Sequence, residues 1–421
     1  MKNFLFLILF LKGFIFTATA QLSGCPDPAA INYDSTATIN DGSCLYNNAI
    51  INPKTKYNLN SLLNESSGLI WWKNLFWTHD DSGGQPVIYA MNSSVSTIQR
   101  TVTVTNATNV DWEDIAQDKS FIYVGDFGNN ANGNRTDLKI YKIAKADINA
   151  GNSVTAQVIN FSYSDQTDFS AKGSNNTNFD CEALIAYGDS LYLFSKDWLD
   201  FKTRLYSLPK KAGTYSATKL SELDIHGLIT GADVLSNEKV IVLSGYNSLL
   251  SPFIYLLYDF TGNHFFDANK RKVSLNEGFT QTEGICAKTT TSFFITNERY
   301  SKLGITTPAK LQQLNVSSFL NPYYSTLDST KASKNIFNSK IHTKENKWAY
   351  ITTNSNFLQV HTTSLSDKNA SIQIYDAKGI AVLKRNMTSS LTSIDISELS
   401  QGIYHAKIYS GKKQISLKFI K

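Results

Sequence analysis

The feature that most constrains the fold is a short phrase that recurs five times through the middle of the sequence. In each copy a small or acidic residue precedes an apolar strand start, and a polar or acidic cluster follows twelve residues later. The markers of the five copies are Gly68, Asp114, Ala183, Ala232 and Gly284. They lie 46, 69, 49 and 52 residues apart, and repeats of about 40 to 50 residues are typical of four-stranded propeller blades.

The strands within each repeat are predicted by short apolar runs between turn residues. In the second copy these runs include 121–125 and 138–143, and the long second interval contains a polar loop over 160–178. The fifth copy lacks a clear fourth strand, which the segment 56–59 ahead of the first copy could supply. We therefore predict an all-β chain with a five-bladed β-propeller over 48–325, six blades being the alternative.

Composition supports extended structure. Of 421 residues, 42% are hydrophobic and only 18% are charged, with 21 Tyr, 24 Phe and 3 Met, a balance that favours aromatic-rich strands over helices. The net charge is +5, but the basic residues are scattered. Nucleic-acid binding is not expected, because it requires a concentrated basic face.

The N-terminus has the pattern of a secretory signal peptide over residues 1–20. Lys2 precedes an apolar run from Phe4 to Phe16, and Ala18-Thr19-Ala20 fits a cleavage site. The run is shorter than the roughly 20 apolar residues of a transmembrane helix, and no other segment is apolar enough to span. An alternative is that Leu22-Ser23-Gly24-Cys25 is a lipobox, in which Cys25 would carry a lipid.

Residues 21–47 contain two cysteines in a specific setting. Gly24-Cys25, Ala30-Ile31-Asn32-Tyr33 and Asp41-Gly42-Ser43-Cys44 occur in order. This resembles the short two-cysteine module found in secreted proteins of the Bacteroidetes. Such a segment is too small to bury a core, so the resemblance implies a Cys25–Cys44 disulfide. Its Asp27, Asp34, Asn40 and Asp41 could bind Ca²⁺ or could simply form turns.

The C-terminus alternates apolar and polar residues between glycine turns, which predicts a small antiparallel β-sandwich over 346–421 after a linker at 326–345. The motifs 372–379, 394–404 and 415–421 occur in order. Together they resemble the C-terminal sorting domain of type IX secretion cargo. The resemblance implies export to the cell surface or exterior, recognition by the type IX machinery, and removal of the domain. An ordinary β-sandwich that stays on for binding is the alternative.

Two further cysteines, Cys181 and Cys286, fall in strand-start phrases of different repeats. They are predicted either to be buried as small hydrophobes or to bridge neighbouring inner strands.

Acidic residues recur near the predicted channel. Glu113, Glu182 and Glu283 occupy one repeat position, with Glu65 and Asp233 nearby. Carboxylates around one axis repel each other unless a cation or a basic partner lies among them. Hard oxygen ligands suit Ca²⁺, so we predict a metal site formed by Glu113, Asp126, Glu182 and Glu283. The alternative is that these acids face water or bond to backbone amides.

The phrases 65–69, 77–84, 111–116 and 125–130 occur in order between Glu65 and Tyr141. Together they resemble the opening blades of a secreted bacterial propeller family, distantly similar to phytase-like and esterase-like propellers. A Ca²⁺-dependent ester or phosphoester hydrolase would use His79 or a metal-bound water as its base and Arg135 to hold an anionic substrate. The sequence contains no Gly-x-Ser-x-Gly elbow, His-Glu-x-x-His helix or phosphate loop.

The other functional prediction is a ligand-binding protein at the cell surface or outside the cell, with a glycan, peptide or protein as ligand. Propellers present loops from every blade on one face. Aromatic residues lie at or near those predicted loop starts, namely Trp77, Phe127, Trp198 and Tyr246. We expect this binding role, with the hydrolase as the alternative.

Overall fold

The computed structural model describes residues 21–302, 304–327, 349–353, 357–362, 370–377, 379–387, 389, 391–400, 402–411 and 413–421. The predicted signal peptide and the predicted linker from residue 328 onwards lie outside these ranges. The chain divides into two compact units, Met1–Tyr324 and Ser325–Lys421. Within the described ranges, no helix is both long and apolar enough to cross a bilayer.

Most described residues of the first unit fall into five groups of four antiparallel strands, which we call sheets I to V. They are preceded by β1 (Ser23–Gly24), β2 (Ile39–Asn40), β3 (Ile50–Ile51), β4 (Lys54–Asn58) and a 3-10 helix (Ser61–Leu63). Sheet I contains β5 (Ser66–Trp72), β6 (Leu75–Asp80), β7 (Val87–Met91) and β8 (Ile98–Val104). Sheet II contains β9 (Trp112–Gln117), β10 (Phe121–Asp126), β11 (Lys139–Ala144) and, after helix α1 (Lys145–Ala150) and β12 (Ser153–Val154), β13 (Gln157–Tyr163).

The remaining sheets follow the same plan. Sheet III contains β14 (Cys181–Tyr187), β15 (Ser190–Ser195), β16 (Lys202–Pro209) and β17 (Gly213–Asp224). Sheet IV contains β18 (Leu228–Leu235), β19 (Val240–Tyr246), β20 (Pro252–Tyr258) and, after a 3-10 helix (Phe265–Asp267), β21 (Asn269–Leu275). Sheet V contains β22 (Thr282–Ala287), β23 (Ser292–Asn297) and, after the hairpin of β24 (Tyr300–Lys302) and β25 (Ile305–Thr307), β26 (Lys310–Asn315). A helix over 317–327 follows.

Sheet V is completed from the other end of the unit. Strand β4 pairs antiparallel with β26, with Asn58 opposite Lys310, which confirms the prediction that the segment before the first repeat supplies the missing strand. The first strands of the five sheets contact one another in sequence, and β22 contacts β5. The first strands therefore form a closed ring, and the arrangement is propeller-like. Buried clusters fill the spaces between neighbouring sheets, for example around Trp77 and Trp112 between sheets I and II.

Side chains near the ring axis join the first strands directly. The Asp114 carboxylate accepts hydrogen bonds from Leu184 N (2.7 Å) and Ala232 N (3.3 Å), and that of Asp233 accepts one from Ala287 N (2.8 Å). Gly68 has φ +57°, and a Cβ there would lie 2.7 Å from Ile115 N. Only glycine tolerates both that backbone conformation and that approach. Asp114 and Asp233 thus hold the ring together.

The outer strands of sheets I to IV are protected from edge-to-edge pairing. Strand β13 of sheet II pairs in parallel with β17 of sheet III, so the two sheets are continuous. Strand β12 pairs in parallel with β8, and β3 pairs in parallel with β21.

The two-cysteine module packs against sheet IV. Cys25 and Cys44 form the predicted disulfide, which leaves Cys25 no thiol for lipidation. Asp27 accepts hydrogen bonds from Tyr46 (2.7 Å) and Tyr258 (2.6 Å). The side chain of each of the four predicted oxygen ligands accepts a hydrogen bond from the backbone N–H two residues later. The four pairs are Asp27–Ala29, Asp34–Thr36, Asn40–Gly42 and Asp41–Ser43. This arrangement supports the turn-forming alternative.

Cys181 and Cys286 are both free and fully buried. Cys181 packs in the cluster between sheets II and III, whereas Cys286 packs in the cluster between sheets V and I. The alternative of a bridge between them is wrong, and both are small core hydrophobes.

The second unit is an antiparallel β-sandwich. One sheet contains β27 (Ala349–Thr353), β28 (Phe357–Thr362) and β31 (Leu391–Asp395). The other contains β29 (Ser371–Tyr375), β30 (Ala381–Asn386), β32 (Ile403–Ser410) and β33 (Lys413–Ile420) in the order β30-β29-β32-β33. Alternate residues such as Leu358, Ile372 and Ile408 are fully buried between the two sheets, as the period-two pattern predicts.

Candidate functional site

The predicted glutamates lie at one end of the ring because of a feature that all five sheets share. Near the start of each first strand, the pairing with the second strand shifts register. In sheets II, III and V the residues skipped at this β-bulge include Glu113, Glu182 and Glu283. A bulge bends the strand and redirects the side chain. The repeat thus places these three carboxylates at equivalent points of the ring. Sheet IV has Thr230 there.

Four carboxylates lie close to that of Glu113, and we call the five together the acidic cluster: Asp81, Asp111, Glu113, Asp180 and Glu182. Carboxylate oxygens of Asp81, Asp111 and Glu113 lie within 4.8 Å of one another, and so do those of Glu113, Asp180 and Glu182. Ligands on opposite sides of a Ca²⁺ ion, each about 2.4 Å from it, are separated by a similar distance. Either group could therefore hold a divalent cation.

Glu113 belongs to both groups and is 4% exposed. Within the part of the chain that the structure describes, no hydrogen bond to the Glu113 carboxylate is found, and the neighbouring Asp81 Oδ1 is buried without a partner. Gly128 packs beside it, and a Cβ at Gly128 would overlap Glu113 Oε1 and lie 2.5 Å from Asp111 Oδ2. A buried carboxylate without a donor is costly, so Glu113 has unused capacity for a cation.

The electrostatics of the acidic cluster disfavour its fully ionised form. Burial, and then the neighbouring carboxylates of Asp81 and Glu182, raise the pKa of Glu113 well above its ordinary value. Burial and the Asp180 carboxylate raise the pKa of Asp111 to about 6. Such shifts mark groups that take up protons unless an external positive charge compensates them.

Lys196 supplies one internal positive charge, which the sequence interpretation missed. Its ammonium lies 2.6 Å from Glu182 Oε2 and is buried between the rings of Trp198 (5.0 Å) and Tyr246 (5.4 Å). Burial alone would lower its pKa, but the carboxylates of Glu182 and Glu283 raise the pKa of Lys196 well above the ordinary value. Lys196 therefore stays charged and neutralises the Glu182 side of the cluster.

Among the described residues, Glu283 belongs to neither of the two groups of three carboxylates and lies near Lys196 instead. It is 3% exposed, and its Oε2 has no hydrogen-bond partner among those residues. Burial raises the pKa of Glu283 well above its ordinary value, while Lys196 lowers it. Asp233, predicted nearby, is instead used to join the first strands.

Asp126, the fourth predicted ligand, is engaged elsewhere. It forms a 2.8 Å ion pair with Arg135 Nη2 and accepts a bond from Asp111 N. Arg135 also donates to Gly128 O (2.8 Å) and to Asp137 (3.1 Å). These contacts fix the loop beside the acidic cluster. They leave the Arg135 guanidinium bound within the protein rather than open to an anionic substrate.

His79, the predicted base, is fully buried. Its Nδ1 lies 3.1 Å from Asp80 O, and its ring meets Trp112 edge-on at 5.6 Å. Burial lowers the pKa of His79 to about 4, so the imidazole is neutral at physiological pH. His79 therefore packs in the core without solvent contact, and its low pKa makes the imidazole a weak base.

Aromatic residues were also predicted at the loop starts. Trp77 and Phe127 are buried in clusters between sheets, and Tyr246 is buried with its ring against the Lys196 ammonium. Trp198 is partly exposed and donates its Nε1–H to Asp180 Oδ2 (2.8 Å). Trp198 is therefore the one of these four that links the surface to the acidic cluster.

A signal for the missed acids is present in the sequence. Asp111 and Glu113 form an Asp-x-Glu pair, and Asp180 and Glu182 repeat it at the start of the next sheet. Asp111 and Asp180 directly precede strands β9 and β14, so each lies at the same end of the ring as the glutamate that follows it. Lys196 has no such signal, because a lysine does not recur at its position in the other copies.

Comparison with known proteins identifies the C-terminal unit. Residues 353–421 match the model of the secretion system C-terminal sorting domain. The chain carries a type IX sorting domain. The protein is therefore recognised by the type IX secretion machinery and exported to the cell surface or the extracellular space. No curated protein matches the chain significantly.

Solved structures give fold-level similarities. An exo-β-1,3-galactanase from Phanerochaete chrysosporium matches at 8% identity and TM-score 0.41, over 89% of this chain and 99% of that one. The aldose sugar dehydrogenase of Streptomyces coelicolor matches at 10% and 0.38, over 62% and 97%. PorZ, a surface component of the type IX system of Porphyromonas gingivalis, matches at 10% and 0.28, over 84% of this chain but 44% of PorZ. All three TM-scores are low, so the propeller-like assignment rests on the topology described above.

Proposed function

We propose that the first unit is a five-bladed β-propeller that binds Ca²⁺ at the acidic cluster and serves as a ligand-binding protein outside the cell. Sheets I to V would be the five blades, closed by β4. The observation that carries the proposal is the position of Glu113. Its buried carboxylate belongs to two groups of three carboxylates. In each group, one oxygen from every carboxylate lies within 4.8 Å of the other two.

Ca²⁺ suits the site because every ligand that the cluster offers is a carboxylate oxygen. Hard oxygen ligands select Ca²⁺ or Mg²⁺ over softer metals, and Ca²⁺ tolerates the irregular geometry of loops and strand ends better than Mg²⁺ does. Lys196 already compensates Glu182, so the Asp81–Asp111–Glu113 side retains the larger unbalanced negative charge. We place the cation there.

The binding role is supported by the location of the cluster. It lies at the end of the ring where first strands begin and second strands end, so the loops between sheets surround it. A bound cation in such a place orders loops and offers open coordination positions to ligand oxygens. Trp198, partly exposed next to Asp180, supplies an aromatic surface at the same end.

A Ca²⁺-dependent ester or phosphoester hydrolase has less support. His79 is buried and neutral, and Arg135 is held by Asp126, Asp137 and Gly128 O. A hydrolase at this site would need cation-bound water as its nucleophile. The two predicted side-chain roles do not contribute to that chemistry.

Calorimetric titration of the full chain with CaCl₂, after chelator treatment and dialysis, tests the cation site. We expect saturable binding near one ion per chain in the wild type and its loss in Glu113→Gln. Asp147→Asn is the matched control, because Asp147 is an exposed acid in helix α1, outside the cluster. Absence of binding in the wild type, or equal binding in Glu113→Gln, would refute the proposal.

A further inference from the structure

The connection between sheets II and III is unusually long. It runs from the end of β13 at Tyr163 to the start of β14 at Cys181, whereas only residues 225–227 join sheets III and IV. Long connections without regular structure are uncommon in compact domains and are often functional. This connection also accounts for the one interval that departs strongly from the repeat period.

The long connection is held in one conformation by the 127–138 loop of sheet II. Lys172 N donates to Asn132 O (2.9 Å) and Asn175 N donates to Asn130 O (2.7 Å). The buried Gln166 side chain donates to Gly133 O (2.9 Å). These contacts fix the loop before any ligand arrives, which reduces the entropy lost on binding.

The long connection borders a cavity of about 510 Å³, whose other side is formed by residues of sheet III. This volume lies in the range of small-molecule sites. Six of the side chains that line the cavity matter for recognition: Lys172, Asn176, Phe179, Leu199, Arg204 and Lys219.

Each cationic side chain of the lining lies beside at least one carboxylate. Lys172 pairs with Asp168, Lys219 lies 3.0 Å from Glu222, and Arg204 lies 2.8 Å from Asp200. Lys219 also lies 3.9 Å from Asp165. An ionic ligand would have to break these pairs, whereas a neutral polyhydroxyl ligand can share their remaining donors and acceptors. The balance of charge therefore favours a neutral polar ligand.

Apolar surface completes the site. Leu199 is 59% exposed at the cavity wall, and the partly buried Phe179 lies beside it in the lining. Sugar rings present apolar C–H faces and polar edges. Burial of such faces against Leu199 and Phe179 is favourable, while the sugar hydroxyl groups accept hydrogen bonds from the exposed Asn176 and the cationic side chains and donate to the carboxylates.

We infer that this cavity binds a neutral oligosaccharide. The site is separate from the Glu113 carboxylate groups, and sugar binding there requires no cation. The inference names a ligand class for the binding role proposed above, but it stands on different residues. Each can fail without the other.

Affinity electrophoresis of the full chain in native gels tests this inference. The gels would contain a neutral polysaccharide (xylan, galactomannan or mixed-linkage β-glucan) or anionic alginate, each with CaCl₂ or with EDTA. We expect at least one neutral polysaccharide to retard the protein equally in CaCl₂ and EDTA. The double variant Leu199→Ala/Asn176→Ala should bind about tenfold more weakly. Leu249→Ala, at a 75% exposed site outside the cavity, should bind like the wild type.

Three outcomes would overturn the inference. One is no retardation by any of the three neutral polysaccharides, and another is retardation by alginate alone. The third is retardation that the double variant retains in full, whether or not that retardation requires Ca²⁺. Calcium-dependent retardation would place sugar binding at the acidic cluster. Calorimetry with CaCl₂ alone separates this failure from failure of the cation site.

Discussion

Replacing Glu113 by Gln should separate the cation site from the stability of the fold. The Glu113 carboxylate is buried without a hydrogen bond among the described residues and lies among four other acids. Glutamine keeps its shape and removes its charge. In chelator the variant should therefore unfold at the same temperature as the wild type or above it, because repulsion within the cluster falls.

The size of the calcium effect follows from mass action. Extracellular calcium modules bind with Kd values of about 10⁻⁴ M, so 10 mM Ca²⁺ is about 100 times Kd and stabilises the native state by about 2.7 kcal/mol. For domains of about 150 to 250 residues, each kcal/mol raises Tm by about 2 to 4 °C. If loss of one ligand weakens Ca²⁺ binding about 100-fold, 10 mM Ca²⁺ stabilises the native state by only about 0.4 kcal/mol. The expected rise in Tm is therefore roughly 5 to 10 °C in the wild type and about 1 °C in the variant.

Differential scanning fluorimetry with and without 10 mM CaCl₂ measures both quantities on the full chain. Asp147→Asn removes an exposed acid of helix α1 and should keep the full calcium response. The reasoning is refuted if Glu113→Gln retains the wild-type rise in Tm. It is also refuted if Asp147→Asn loses the rise equally, since this would indicate diffuse surface binding.

Three further predictions concern the same cluster. The calcium-dependent rise in Tm should be small near pH 5 and should grow above about pH 6. The raised folded-state pKa of Asp111 makes the calcium-free protein lose stability as the pH rises, whereas Ca²⁺ binds the deprotonated form. An equal rise in Tm from pH 5 to 8 would contradict this prediction. Lys196→Met should cost about 3 to 5 kcal/mol in urea unfolding, since it leaves Glu182 buried without its partner; a loss below about 1 kcal/mol would show that the pair is not needed. Gly128→Ala should weaken calcium binding by calorimetry, because its Cβ would displace Glu113, while Gly151→Ala, in open space, should not; equal affinities of the two variants would argue against the site.

Much of the fold could be predicted because its repeating unit is local. The first and second strands of each sheet are joined by short turns, so one phrase in the sequence contains both of them. The closing strand β4 could be found because the fifth copy lacked a partner for β26. The parallel pairing of β13 with β17 could not be found, since it depends on the twist and packing of two separate sheets. Docking of the module through Asp27 and Tyr258 is likewise a contact between segments distant in sequence.

The site was partly predictable for the same reason. Glu113 and Glu182 recur at one repeat position, and the bulge turns both toward the ring axis. Asp126 also lies at a repeat position, but the Arg135 side chain pairs with it, as Arg204 pairs with Asp197 in sheet III. Lys196 was missed because its role depends on burial against Glu182, which the pattern of polar and apolar residues does not encode.

Anomalous diffraction from crystals of the full chain grown with Ca²⁺ would test the central claim most directly. The account predicts a peak about 2.3 to 2.6 Å from a Glu113 carboxylate oxygen, with Asp81 and Asp111 as further ligands. An ordered acidic cluster without an anomalous peak, its carboxyl groups bonded to one another instead, would contradict it.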